Sequence, residues 1–112
     1  MFDFLKPKVP TVSVDDLMQA ITANEDILIL DVRTPGEYAK AHIANSINLP
    51  VDEVEEKVSR VAPDKSKKTF VHCMSGSRSI VSVDMMVKMG YTNVFDVTSG
   101  LLAWRIKKYP LI

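Results

Sequence analysis

The sequence predicts an α/β domain built on a central parallel sheet of about five strands, with helices on both faces. The first observation behind this is rhythm. Short apolar runs that suit strands alternate with longer segments whose apolar residues recur at helical spacing. The second is the character of the runs. ILIL at 27–30, TFVHC at 69–73 and VFDV at 94–97 are close to continuous, as in strands covered on both faces. The third is size: 112 residues, 46% apolar and 25% charged, suit one compact domain. We read residues 1–11 as an extended lead-in and 12–112 as that domain.

Taken in order, Phe2 to Pro10 is extended, because Pro7 and Pro10 oppose helix. Val14, Leu17, Met18 and Ile21 form a helical stripe, with Ser13 and Asp16 spaced as an N-cap pair. The strand at 27–30 ends in Asp31-Val32-Arg33. Thr34-Pro35-Gly36-Glu37 then opens a short helix through Ala41, with Pro35 placed as its first residue. Ser46 to Leu49 is a short strand. Val51, Val54, Val58 and Val61 make the next helical stripe. After the strand at 69–73, Ser79 to Met89 reads as a helix that is apolar on most sides, with Gly90 as the left-handed residue that ends it. Its methionines are core packing, not a metal or cofactor site. The strand at 94–97 and a last short helix from Gly100 to Lys107 close the chain. In parallel sheets of this kind, sites form beyond the carboxyl ends of the strands. Asp31, Cys73 and Val97 lie at such ends, so three loops should converge on one edge.

Composition excludes several classes of function. Fourteen basic and fourteen acidic residues cancel, which argues against a nucleic-acid or anionic-membrane surface. No apolar run nears the roughly 20 residues of a membrane helix. The opening MFDFLKPKVP lacks the features of a signal peptide, so the expected compartment is the cytoplasm. One cysteine excludes an internal disulfide and a CxxC pair, and two histidines beside it make a poor zinc set. No metal or cofactor is expected. Whatever Cys73 picks up must be removed by an outside molecule.

The segment that begins at the end of the TFVHC run is CMSGSR, residues 73–78, between a strand end and a helix start. Amides at a helix start have no partner inside the helix. A curved loop of small residues can aim several of them at one point, and Gly76 lets the backbone turn there. The helix dipole adds partial positive charge and Arg78 a full one. Such a cradle, formed by Met74, Ser75, Gly76, Ser77 and Arg78, favours negative charge on the Cys73 sulfur, and the thiolate is the nucleophile. It could equally hold a persulfide anion or a set of phosphoryl oxygens.

This loop resembles the active-site loop of the rhodanese-like domains, a sulfurtransferase family. DVRTPGEY at 31–38 is similar to the family's DVR-x-x-x-E-[FY] stretch. AHIANSINLP at 41–50 resembles GHI-x-x-A-x-N-[IL]-P, and VFDVTSGLLAW at 94–104 resembles V-x-x-L-x-G-G-x-x-A-W. The resemblance runs in family order from about residue 12 to the end. It implies that Cys73 takes a sulfane sulfur from a donor such as thiosulfate or a small persulfide. Cys73 then holds that sulfur as a persulfide within the cradle and passes it to cyanide, a small thiol or a protein thiol. Four residues separate Cys73 from Arg78, one fewer than in the phosphatases' HC-x5-R loop. A tighter ring suits one sulfur and crowds a tetrahedral phosphate. A phosphatase or arsenate reductase on this fold, and a persulfide carrier with little turnover, are the rival readings. Met74 stands where the family often has Arg or Gln, which weakens the pull on an anionic donor. Ala41 and Ser99 replace family glycines outside the loop.

Other polar residues have structural explanations first. Asp31 and Arg33 suit an internal ion pair at a strand end, with donor assistance the secondary role. Glu37 suits a capping-box acid for Thr34. His42 reads as a hydrogen-bonded structural histidine. His72 should point away from Cys73's side by strand alternation. Trp104 should pack the last helix on the sheet, with a wall of the site as its secondary role. Phe2, Phe4 and Leu5 are candidates to cover a core edge or a partner.

Overall fold

In the computed structural model, residues 7–112 are described. The readings made for Phe2, Phe4 and Leu5, and the first part of the lead-in, lie outside them. Five strands form one parallel sheet: β1 (Thr11–Val12), β2 (Leu28–Asp31), β3 (Ile47–Asn48), β4 (Thr69–His72) and β5 (Val94–Val97). Their order across the sheet is β1-β5-β4-β2-β3. Five helices alternate with them: α1 (Val14–Thr22), α2 (Pro35–Lys40), α3 (Val54–Val61), α4 (Ser77–Lys88) and α5 (Gly100–Ile106). A 3-10 turn at Val51–Glu53 leads into α3. No helix among the described residues is long and apolar enough to cross a membrane.

The local chemistry explains the helix starts. Ser13 caps α1 by accepting the Asp16 amide at 3.1 Å, while the Asp16 carboxylate accepts the Ser13 amide at 2.9 Å. Thr34 and Glu37 make the same reciprocal box at α2, with Pro35 as its first residue. Gly90 adopts φ +99 just after α4.

Strand pleating sorts the core into two layers. On one face Leu30, Val71, Cys73 and Val94 pack with Val54 and Val58 of α3 and Val83 and Met86 of α4. On the other, Ile29, Phe70 and Val97 pack with Leu17 of α1 and Trp104 of α5. The methionines of α4 and the one that follows it serve this core, Met86 fully buried and Met85 and Met89 packed against it. Burying each such side chain stabilises the fold by about 1.5–3 kcal/mol.

Three of the boundaries that differ from the sequence expectation have a visible physical cause. Thr11, read as the end of the lead-in, already pairs with Asp96, and the Asp96 amide donates to Pro10 O at 2.8 Å. Two residues are too few to leave a periodic signal. β4 ends at His72 rather than Cys73, because the Cys73 carbonyl accepts an amide from α5 instead of continuing the ladder. α4 begins at Ser77, two residues before the expected Ser79, because Gly76 at φ +121 makes the turn immediately before it.

Candidate active site

The chain leaves β4 at the carboxyl edge of the sheet, and there Cys73 lies fully buried beneath the loop that follows it. The Gly76 amide donates to Sγ at 3.1 Å. The first amides of α4 have no acceptor within their own helix, as at any helix start. Two residues read into the cradle, Ser77 and Arg78, therefore belong to the first turn of α4, and Met74, Ser75 and Gly76 make the bend.

A second wall holds this loop in place. The Leu101 amide donates to Cys73 O and the Leu102 amide to Met74 O, both at 2.9 Å. The first turn of α5 thus clamps the two carbonyls on its own side. Gly100 makes the approach possible, because a Cβ built there would lie 2.2 Å from Cys73 O. Ser99, in the place of a family glycine, takes the left-handed conformation at φ +59, which costs a non-glycine residue about 1 kcal/mol. The turn is kept and the serine carries the strain.

The third loop arrives through charge. The Arg78 guanidinium donates to Glu37 Oε1 at 2.6 Å and to Oε2 at 3.2 Å. So the loop's one positive side chain is matched by an acid from α2. The three strand-end loops do converge. Glu37 performs the expected capping and, in addition, this pairing. First the Arg78 guanidinium and then the Thr34 amide hold its carboxyl down at about 2. A carboxylate depressed in the fold contributes stability above its ordinary value of 4.5, and that contribution is lost as pH falls toward 2. Because the pair is partly solvated, we expect about 1 kcal/mol from it. Urea unfolding of Glu37→Gln should show that deficit at neutral pH, narrowing below 4.5 and closing near 2.

Asp31 and Arg33 form the internal pair expected of them. Arg33 Nη2 lies 2.7 Å from Asp31 Oδ2 and donates to Ala41 O at 2.7 Å, with both side chains buried. Pleating places Asp31 on the α1/α5 face, opposite Cys73. His72 is on that face too, with Nε2 3.7 Å from Asp31 Oδ2, and burial pushes its titration below the ordinary histidine range. His42 stacks on the Tyr38 ring at 3.8 Å and shares a 2.8 Å hydrogen bond with Tyr38 O. Trp104 packs α5 on the sheet and donates its indole N–H to Pro110 O at 2.9 Å. It belongs to the layer across the sheet from Cys73, so it does not wall the sulfur.

Two residues at the sulfur were not singled out from the sequence. The Cys73 thiol donates to Ser79 Oγ at 3.4 Å, and Ser79 Oγ donates to Asp96 Oδ1. Asp96 is 2% exposed and lies on the same sheet face as Cys73. A signal was present: an acid inside the apolar run VFDV is unusual and requires a partner. Beside this pair, a groove of about 480 Å³ is lined by Pro7, Gly76, Ile80, Val81, Asp96 and Thr98 among others.

A parallel five-stranded sheet with a buried cysteine under a short loop at a helix start is the arrangement that the four sequence motifs point to. The Rhodanese-like domain model matches residues 13–107, and the chain belongs to that family. It is similar to a protein named sulfurtransferase from Allochromatium vinosum, with 28% identity over 93% of this chain and 95% of that one. It is also similar to thiosulfate sulfurtransferase PspE of Escherichia coli, with 37% identity over 58% of this chain and 62% of that one. Among solved structures, a rhodanese-related protein from Thermoplasma volcanium superposes with a TM-score of 0.81 at 34% identity, covering 92% of this chain and 97% of that one.

Proposed function

We propose that the protein is a single-domain sulfurtransferase with Cys73 as its nucleophile, acting in the cytoplasm. The observation that carries this reading is the Gly76 amide aimed at the Cys73 sulfur at 3.1 Å, inside a loop built at a helix start. The Cys73 thiolate attacks the outer, sulfane sulfur of the donor. A Cys73–sulfur bond forms and the donor's own sulfur–sulfur bond breaks. The donor leaves as a thiolate, or as sulfite where it is thiosulfate. The new terminal sulfur carries the negative charge, and the amides of Met74 to Arg78 stabilise it. Cyanide or a thiolate then attacks that sulfur, and the Cys73 thiolate is the leaving group. The chain's one cysteine makes an external acceptor necessary.

Two features favour a persulfide donor over thiosulfate. Met74 supplies no charge, and the Arg78 charge is matched by Glu37. A doubly charged donor therefore meets no uncompensated cation in the loop. Intact-protein mass spectrometry after incubation with cysteine persulfide, glutathione persulfide or thiosulfate tests the reading. The expected product carries one added sulfur on Cys73, formed more readily from the persulfides. A protein that gains no sulfur from any of the three would overturn it. Slow discharge by cyanide and small thiols, with fast discharge by a partner protein, would mark a carrier instead.

A further inference from the structure

Ser79 occupies an unusual position. It accepts the Cys73 thiol proton at 3.4 Å and has a single proton of its own to donate. That proton has two acceptors within reach, Asp96 Oδ1 and Gly76 O, the latter at 3.1 Å. While Asp96 is ionised, the carboxylate is the stronger acceptor, so the hydroxyl points at Asp96 and presents a lone pair to the sulfur. That orientation suits a thiol and opposes a thiolate. If the carboxyl is protonated, the arrangement reverses. Asp96 donates to Ser79, and the Ser79 hydroxyl is free to point at the sulfur.

We propose that Ser79 and Asp96 form a proton-holding pair for Cys73. As the sulfur becomes anionic, the thiol proton passes to Ser79 Oγ, and the proton Ser79 held passes to Asp96 Oδ1. The S–H bond breaks and a serine O–H forms. The original serine O–H breaks and a carboxyl O–H forms, so no proton enters or leaves. The hydroxyl that results faces the anionic sulfur as a donor and adds to the Gly76 amide. When the sulfur next becomes a thiol, the two transfers run backward. Ser79 touches the reacting atom. Asp96 acts through Ser79 and is a positioning residue. This rests on the reading of Cys73 as nucleophile.

The surroundings suit the pair. Burial raises the affinity of Asp96 for a proton, against the opposing pull of the Ser79 hydrogen bond. Neighbouring elements bring few competing charges among the described residues. β1 carries only Thr11 and Val12. On β4, His72 lies beside Asp31 across the sheet. On α4, Arg78 is turned onto Glu37 and Asp84 onto Lys88. Asp96 also lines the groove beside the loop.

Ultraviolet thiolate absorbance across a pH series, with Cys73→Ser as the blank, tests the pair without requiring sulfur transfer. One proton shared between two groups makes the thiolate appear in two steps. Asp96→Asn keeps shape and hydrogen bonding but cannot take a proton, so one of the two steps should be lost. Ser79→Ala should uncouple the groups, and adding Asp96→Asn to it should change the profile no further. A parent protein whose thiolate forms in one step, unaltered in shape by Asp96→Asn, would overturn the proposal. That outcome would leave Cys73 persulfidation, read by mass, untouched.

Discussion

Cys73→Ser is expected to fold like the parent protein and to lose sulfur transfer by about three orders of magnitude or more. The two halves of this expectation have separate causes. A serine hydroxyl can accept the Gly76 amide that now reaches the sulfur at 3.1 Å, and it can donate to Ser79 in place of the thiol. The site is fully buried, but the exchange removes little volume and leaves no donor unpaired. A stability change within about 1 kcal/mol follows. Oxygen is a different matter for chemistry. A serine hydroxyl is not ionised near neutral pH, and oxygen has no persulfide form in which to store a sulfane sulfur. Thiocyanate production from a sulfur donor and cyanide, beside urea unfolding of both proteins, separates the effects. Retention of more than a tenth of parental turnover would remove Cys73 from the mechanism.

Gly100→Ala should instead damage fold and site together. The added methyl would sit 2.2 Å from Cys73 O and 3.0 Å from Cys73 C, and these are backbone atoms that no side-chain rotation can move. Gly100 also holds φ +41, a left-handed conformation that alanine adopts at a cost of about 1 kcal/mol. Overpacking of this kind costs about 1–3 kcal/mol more. The displacement has a direction. It pushes Cys73 O and Met74 O away from the Leu101 and Leu102 amides that hold them at 2.9 Å. We expect a loss of about 3 kcal/mol in urea unfolding and slower sulfur uptake by Cys73 in the protein that remains folded. A variant as stable as the parent would mean that α5 does not clamp the loop.

Much of the architecture was legible because it is written in local chemistry. Each helix start that carries a side-chain cap, Ser13 with Asp16 and Thr34 with Glu37, follows from residues three apart. The long apolar runs became the central strands β2, β4 and β5, which must be apolar on both faces. The edge strand β1 escaped because two residues cannot show a period, and only its pairing with β5 defines it. The same division holds at the candidate site. Cys73 and the turn at Gly76 could be read from the order of strand, cysteine, glycine and helix. The destination of the Arg78 guanidinium could not, because Glu37 lies 41 positions away in the chain.

By itself, then, the sequence determined the α/β alternation, the capped helices, the single cysteine at a strand end and the glycine-bearing bend over it. These depend on neighbours within a few positions, where side-chain period, capping and turn chemistry act directly. Only the tertiary structure decided what surrounds the sulfur. Parallel pairing with β4 brings β5 alongside, which places Asp96 on the Cys73 face and lets Ser79 bridge them. The start of α5 then closes on Cys73 O, and Glu37 meets Arg78 across the loops. These contacts join residues far apart in the chain, and strand register and pleat set them, which no local pattern encodes.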